Sequence, residues 1–167
     1  MPVADVVKGA GCDASCVEMA RLPALGVEVS TDVLALRGGA LRRAATACAV
    51  LAVGRAGMDD PRVLRALEGA ASGPADEQTL AALSALVDEL DEQAWDLQDL
   101  VDAGEADDAD HDRVRRRARA AAALRYALDP DSTTHAAEAV YEAHHAMLDL
   151  LALDAALLRA AAEPDEA

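Results

Sequence analysis

The longest part of the chain without glycine or proline contains residues 133–162, with Pro130 just before it and Pro164 just after it. Wound at about 100° per residue, this stretch predicts one long helix with two unequal faces. Its broad face is apolar, consisting of Val140, His144, Met147, Leu151, Leu158 and Ala162, flanked by Leu148, Leu150 and Leu157. Because a helix on the outside of a domain buries only one stripe, a face this wide predicts the central helix of a bundle.

The amino-acid composition also favours helices. The 167 residues include no Phe, and the only aromatic residues are Trp95, Tyr126 and Tyr141. Ala, Leu and Val must therefore fill the interior, and small side chains allow helices to pack closely. We expect an all-α fold, a single-domain helical bundle of five or six helices with a short N-terminal arm.

The helical signals begin about thirty residues into the sequence. We expect residues 1–30 to form a partly ordered N-terminal arm and residues 31–163 to form the α-helical bundle. A first helix is expected to begin near Val33, because three residues that can cap a helix precede it. A second is expected at Asp60 and Pro61, an acidic cap followed by proline in the first turn.

The clearest helical pattern lies between residues 80 and 101. Apolar residues follow one another there in steps of three and four: Leu80, Leu83, Val87, Leu90, Ala94, Leu97 and Val101. This spacing is typical of the seam of a helical bundle. We therefore expect Leu90 and Leu97 to lie in the core.

Charge is segregated along the middle of the chain. Residues 76–112 contain fourteen acidic residues and no Lys or Arg, whereas residues 113–128 contain six Arg and no acidic residue. The simpler interpretation is a helical hairpin whose acidic and basic faces meet through weak surface ion pairs. The alternative is that the acidic face binds a basic protein.

The overall charge excludes some partners. The formal net charge is −16, from 31 acidic and 15 basic residues. Such a surface repels phosphate groups, so we expect no binding to nucleic acid or to anionic membranes. We see no signal peptide and no membrane span, and therefore expect a cytoplasmic protein.

Three cysteines do not suggest a disulfide framework. Cys12 and Cys16 have C-x-x-x-C spacing, but a zinc site would need two further ligands. Cys48 lies on an apolar helix face and is expected to behave as a small hydrophobic residue.

The best candidate for chemistry is the narrow polar face of the predicted C-terminal helix. It carries His135, Glu138, Glu142, His145 and Asp149. Glu142 and His145 form E-x-x-H, the pair that di-metal carboxylate bundles place at one ion. Such bundles repeat the pair on a second helix, and this chain has it once. The simpler interpretation is a solvated polar face, and the metal hypothesis names Glu138, Glu142 and His145 as ligands.

Two polar residues fall among the apolar ones of the same predicted helix. His144 lies on the broad face, and a buried histidine usually finds one hydrogen-bond partner. Asp154 lies further along, where an unpaired carboxylate would be costly. An arginine of the basic helix, or of a second subunit, is a suitable partner for it.

These features predict a non-enzymatic interaction or adaptor protein that acts through its apolar C-terminal helix or its acidic hairpin. A homodimer is expected, with the strip of Ala152, Ala156 and Ala160 as the contact. The competing account is that the N-terminal arm covers this helix. The alternative function is a metal-binding helical bundle, with catalysis at the metal left open. A third, an acidic decoy for a nucleic-acid-binding protein, rests on the charge alone.

Overall fold

The computed structural model describes residues 38–70, 73–130 and 133–162, and these form six helices and no strand. In chain order they are α1 (Gly38–Arg55), α2 (Pro61–Ala70), α3 (Glu77–Asp102), α4 (Asp108–Leu128), α5 (Thr133–Met147) and α6 (Leu150–Ala162). The predicted all-α bundle is confirmed. The N-terminal arm, the helix start near Val33 and the pair Cys12 and Cys16 lie outside the described residues.

Aspartate side chains begin helices α2, α3 and α4. The Asp76 carboxylate accepts a hydrogen bond from the Thr79 N–H at 2.8 Å and caps α3. Asp107 caps α4 in the same way, and Asp60 accepts from the first turn of α2. An oxygen acceptor at this position satisfies backbone donors that the helix itself leaves free.

The centre of the bundle consists of α1, α4 and α5, which pack on one another. Alanine dominates their buried sides, as in the run of buried residues from Ala120 to Leu124 in α4. Small side chains let the three helices approach closely. Helix α3 packs against α4 as a hairpin joined by residues 103–107, and α2 packs against α3. Helix α6 packs mainly against α1.

The single long helix predicted for residues 133–162 is wrong, because the structure divides it into α5 and α6. Leu148 has a φ of 53°, the left-handed conformation that ends a helix. Asp149 then accepts a hydrogen bond from the Ala152 N–H at 3.0 Å and caps α6. The aspartate interpreted as part of a polar face is thus the start of a new helix.

The break also changes which side of α6 faces inward. Ala156 and Ala160, predicted to form an outer contact strip, are buried with Leu153 and Leu157. Leu151 and Leu158, predicted to be inside, are exposed. The physical reason is that two non-helical residues interrupt the 100° rotation, so α6 does not continue the phase of α5.

None of the described helices is both long enough and apolar enough to cross a membrane. Cys48 is completely buried in α1.

Candidate functional site

A cleft of about 500 Å³ opens between α3, α4 and α5. Six of the residues that line it come from the two later helices: His111, Arg115 and Arg119 from α4, and Tyr141, Glu142 and His145 from α5. Steps of three or four residues place each of these sets on one side of its helix. Ligands usually bind in clefts of about this size, at a few converging polar groups.

Helix α3 forms the third wall with Asp91, Trp95 and Gln98, which again follow one another in steps of four and three. Trp95, the only tryptophan in the chain, is 72% exposed. Tryptophan is rarely this accessible, because its ring offers a large apolar area for burial. The Trp95 indole therefore gives the α3 wall of the cleft an unusually exposed apolar surface.

Arg119 bridges the cleft walls. Its guanidinium donates a hydrogen bond to Asp91 Oδ2 at 2.6 Å and a longer one to Glu142 Oε2 at 3.3 Å. Helix α4 is thereby tied to α3 and to α5 by one side chain. A further hollow of about 400 Å³ shares these three residues as walls.

The pKa values of Arg119 and Glu142 both rise, for opposite reasons. Burial alone would lower the pKa of Arg119, but the hydrogen bond to Asp91 and the charge of Glu142 outweigh it. Burial raises the pKa of the Glu142 carboxyl, and the nearby charge of Glu138 adds to this effect, against the attraction of Arg119. Glu142 is the most enclosed acid of the cleft and is held by a cation.

Arg115 differs from Arg119, because it is exposed and forms no ion pair or hydrogen bond with the residues that the structure describes. Its charge nevertheless reaches into the cleft, where it contributes to lowering the pKa of His145. An arginine without a counter-ion, in a protein with a net charge of −16, is available to an anionic group.

His145 lies against Tyr141, with ring centroids 4.5 Å apart, and 5.3 Å from the ring of His144. Burial lowers the pKa of His145, and the charges of His144, Arg115 and Arg119 lower it further. The imidazole is therefore neutral at pH 7. Its Nε2 is buried and has no hydrogen-bond partner among the described residues.

The structure brings together two of the three predicted metal ligands, since Glu142 and His145 both line the cleft. Glu138 is half-buried near Glu142. Within the described residues no group of three or more His, Cys, Asp and Glu side chains is placed to hold a metal ion. The Glu142 carboxylate is instead engaged by Arg119. The metal site stays a prediction from the sequence.

The other residues of the predicted polar face lie apart from the cleft lining. His135 Nδ1 is 3.1 Å from the carboxylate of Asp129, and its ring lies 5.5 Å from that of Tyr126. Asp149 is the cap of α6 and forms an exposed ion pair with Arg55 at 3.4 Å.

Sequence reasoning missed Arg115, Arg119 and Trp95 as site residues. A signal was present, because His111, Arg115 and Arg119 repeat every four residues on one side of the basic helix. What the sequence did not show is which helices would be neighbours.

The charged faces of the hairpin meet less than predicted. Within the described part of the chain, Arg119 and Asp91 form the one ion pair between α3 and α4. Arg113 pairs with Asp110 of its own helix, and Arg117 pairs with Asp59. Exposed acidic residues on α3 include Asp88, Glu92, Asp96 and Asp99.

A second notable surface follows the α5–α6 break. Leu148 and Leu151 are 70% and 84% exposed, and Leu158, two turns after Leu151, is 43% exposed. We call Leu148, Leu151 and Leu158 the leucine face.

Comparison with models of known protein families, with curated proteins and with solved structures finds no match.

Proposed function

We propose that the protein is a non-enzymatic helical interaction protein that forms a homodimer through α6. The observation that carries this proposal is the exposure of Leu148 and Leu151. A single exposed leucine is ordinary, but several close together, as in the leucine face, are typical of a contact surface.

The outward side of α6 has the spacing of a two-helix seam. Leu151, Ala155, Leu158 and Ala162 are all exposed, and they follow one another in steps of four, three and four. This is the pattern of the core positions of a coiled coil, at which one helix packs against another. The proposal therefore replaces the alanine strip predicted from the sequence with this outward stripe.

Charge favours a second copy of the chain as the partner. Asp154 and Arg159 lie on opposite sides of the outward stripe, and neither forms an ion pair with another described residue. When two identical helices pack in parallel, the two flanks face each other across the seam. Asp154 of each copy then meets Arg159 of the other, so twofold symmetry forms the pair twice.

The same contact avoids the most acidic part of the molecule. Helix α6 packs mainly on α1 and α5, whereas α3, with its row of exposed acids, packs on α4 and α2. Two acidic surfaces would repel each other, so α3 is a poor site for self-association. A dimer through α6 leaves the acids of α3 in solvent.

The contact should be weak. Helix α6 has 13 residues, a length of about 20 Å. Two helices of this length bury less than the roughly 800 Å² per partner found in stable complexes. We expect a dimer that dissociates on dilution through the micromolar range.

We expect the protein to act in the cytoplasm. Burial raises the pKa of the free Cys48 thiol to about 12, so this cysteine is protonated and enclosed at neutral pH. An unpaired thiol of this kind is typical of proteins in reducing compartments, which supports this location.

The proposal is tested by sedimentation equilibrium of the full chain over a range of concentrations. The unchanged protein should show a monomer–dimer equilibrium, and Leu151→Glu should be monomeric throughout. Leu64→Glu is the matched control, since it makes the same change at an exposed leucine of α2. If the unchanged protein is monomeric at all concentrations, the proposal is wrong. That result would favour the competing account, in which the N-terminal arm covers this helix.

Charge exchange tests the orientation of the dimer. Arg159→Asp should weaken association, because two acids then face each other across the seam. Combining it with Asp154→Arg should restore association. If the single substitution has no effect, the parallel arrangement is wrong.

A further inference from the structure

The contact between Arg119 and Asp91 sets the register of the α3–α4 hairpin. The two helices run antiparallel, so one turn earlier on α4 lies opposite one turn later on α3. Arg115 is therefore level with Trp95, as Arg119 is level with Asp91. Arg119 thus pairs with a carboxylate, whereas the residue of α3 at the level of Arg115 is a tryptophan.

This register leaves Arg115 without a counter-ion beside an exposed aromatic ring. The Trp95 indole is 72% exposed, and Tyr141 lies on the opposite wall of the same cleft. Aromatic surfaces bind flat apolar groups by stacking. A guanidinium binds a carboxylate through two parallel hydrogen bonds. The aromatic surface and the guanidinium therefore complement a molecule that has a flat ring at one end and a carboxylate at the other.

We propose that the cleft binds a small monocarboxylate with a planar aromatic body. Arg115 holds the carboxylate, and Trp95 and Tyr141 pack against the ring. The volume of about 500 Å³ suits such a ligand. His145 lines the same cleft, with its ring against that of Tyr141.

The charges of the cleft favour a ligand with one negative charge over a ligand with two. Asp91 and Glu142 both engage Arg119, so these two acids surround a cation that is already satisfied. The formal charges of Asp91, Glu142, Arg119 and Arg115 sum to zero, and Arg115 is the arginine of this set whose guanidinium has no ion-pair partner among the described residues. A carboxylate carries one negative charge, whereas a phosphate monoester carries about 1.5 to 2 at pH 7. In a protein with a net charge of −16, the additional charge of a phosphate is repelled.

The single tryptophan makes the site directly observable. Trp95 is the only source of tryptophan fluorescence in the chain. Titration of the full chain with phenylacetate should change this fluorescence saturably. Acetate lacks the ring, phenylacetamide lacks the charge and phenyl phosphate carries more charge, so each of these three probes should bind more weakly.

Two arginine variants distinguish the proposed contact from general charge. Arg115→Gln should weaken phenylacetate binding about tenfold or more, because a charged hydrogen-bond partner is lost. Arg116→Gln is the matched control, since Arg116 is the next residue, is exposed and is not part of the cleft lining. It should bind as the unchanged protein does. Circular dichroism of both variants verifies that they are folded.

Three results would overturn the proposal: no saturable response to phenylacetate in the millimolar range, unchanged affinity of Arg115→Gln, or tighter binding of phenyl phosphate. The proposal does not rest on the dimer, because the cleft is formed by α3, α4 and α5 of one chain. Failure of the fluorescence titration and failure of self-association are therefore separate results.

Discussion

Arg119 of α4 lies opposite Asp91 of α3, and its guanidinium donates to Asp91 Oδ2 at 2.6 Å. The pair is half-buried, and Glu142 of α5 completes it from a third helix. A single charged group thus connects three helices at the cleft. Half-buried charges are incompletely hydrated. Arg119, Asp91 and Glu142 are therefore stabilised by one another's charge.

Arg119→Gln should lower the free energy of unfolding by about 1.5–3 kcal/mol, the usual contribution of hydrogen bonds to charged groups. Asp91 and Glu142 would lose their cation. Arg116→Gln removes an exposed arginine from the same helix and should change stability by less than about 0.5 kcal/mol. Urea unfolding measures both, and equal effects would mean that the bridge contributes nothing specific.

A leucine series along α3 tests the described burial. Leu90 is buried, and Leu90→Ala should cost about 2–5 kcal/mol through lost burial and the resulting cavity. Leu97, predicted to be in the core, is only half-buried, so its replacement by Ala should cost less than about 2 kcal/mol. Leu100 is exposed, and Leu100→Ala should cost least. Unfolding midpoints that do not follow the order Leu90, Leu97, Leu100 would contradict this packing.

The pH dependence of stability should reveal the half-buried His145 of the cleft. The pKa of His145 is lowered in the folded state, so the unfolded chain takes up the proton first as the pH falls through about 6.5. The stability contributed by the neutral ring is present above that pH and is lost below it. The raised pKa of Glu142 acts in the opposite direction, because the folded state binds that proton more readily.

A variant isolates the histidine from the other groups. When the pH is lowered from 7.5 to 5.5, the unfolding free energy of the unchanged protein should fall more than that of His145→Gln. Urea unfolding at the two pH values measures it. A difference independent of pH would mean that His145 titrates normally in the folded chain.

Much of the fold could be predicted because periodicity and caps are local. The steps of three and four in residues 80–101 predicted α3, and Asp60 followed by Pro61 predicted the start of α2. The break between α5 and α6 lacks the usual stop signal, since Leu148 rather than glycine adopts the positive φ. Asp149, which caps α6, also fits the polar face of one continuous helix. The left-handed conformation is costly for a residue with a Cβ, so the sequence alone does not predict it at a leucine. Because the break was not predicted, the side of α6 that faces the core was also predicted wrongly.

The site was predictable only in part for a similar reason. Glu142 and His145 share one side of a helix, so their i,i+3 spacing was visible in the sequence. Arg115, Arg119 and Trp95 belong to the site because α4 and α3 lie beside α5. That relationship depends on which helices pack together, and spacing along one helix carries no information about it.

The last prediction concerns the start of α6. Asp149→Ala removes the cap that accepts from the Ala152 N–H, and loss of a cap typically costs about 1 kcal/mol. Asp149→Asn keeps a capping oxygen but removes the exposed ion pair with Arg55, so it should cost less than Asp149→Ala. Thermal unfolding of the two variants separates these contributions. Equal losses would assign the effect to the ion pair, whereas a gain in stability for Asp149→Ala would mean that residues 133–162 favour the continuous helix that their periodicity predicts.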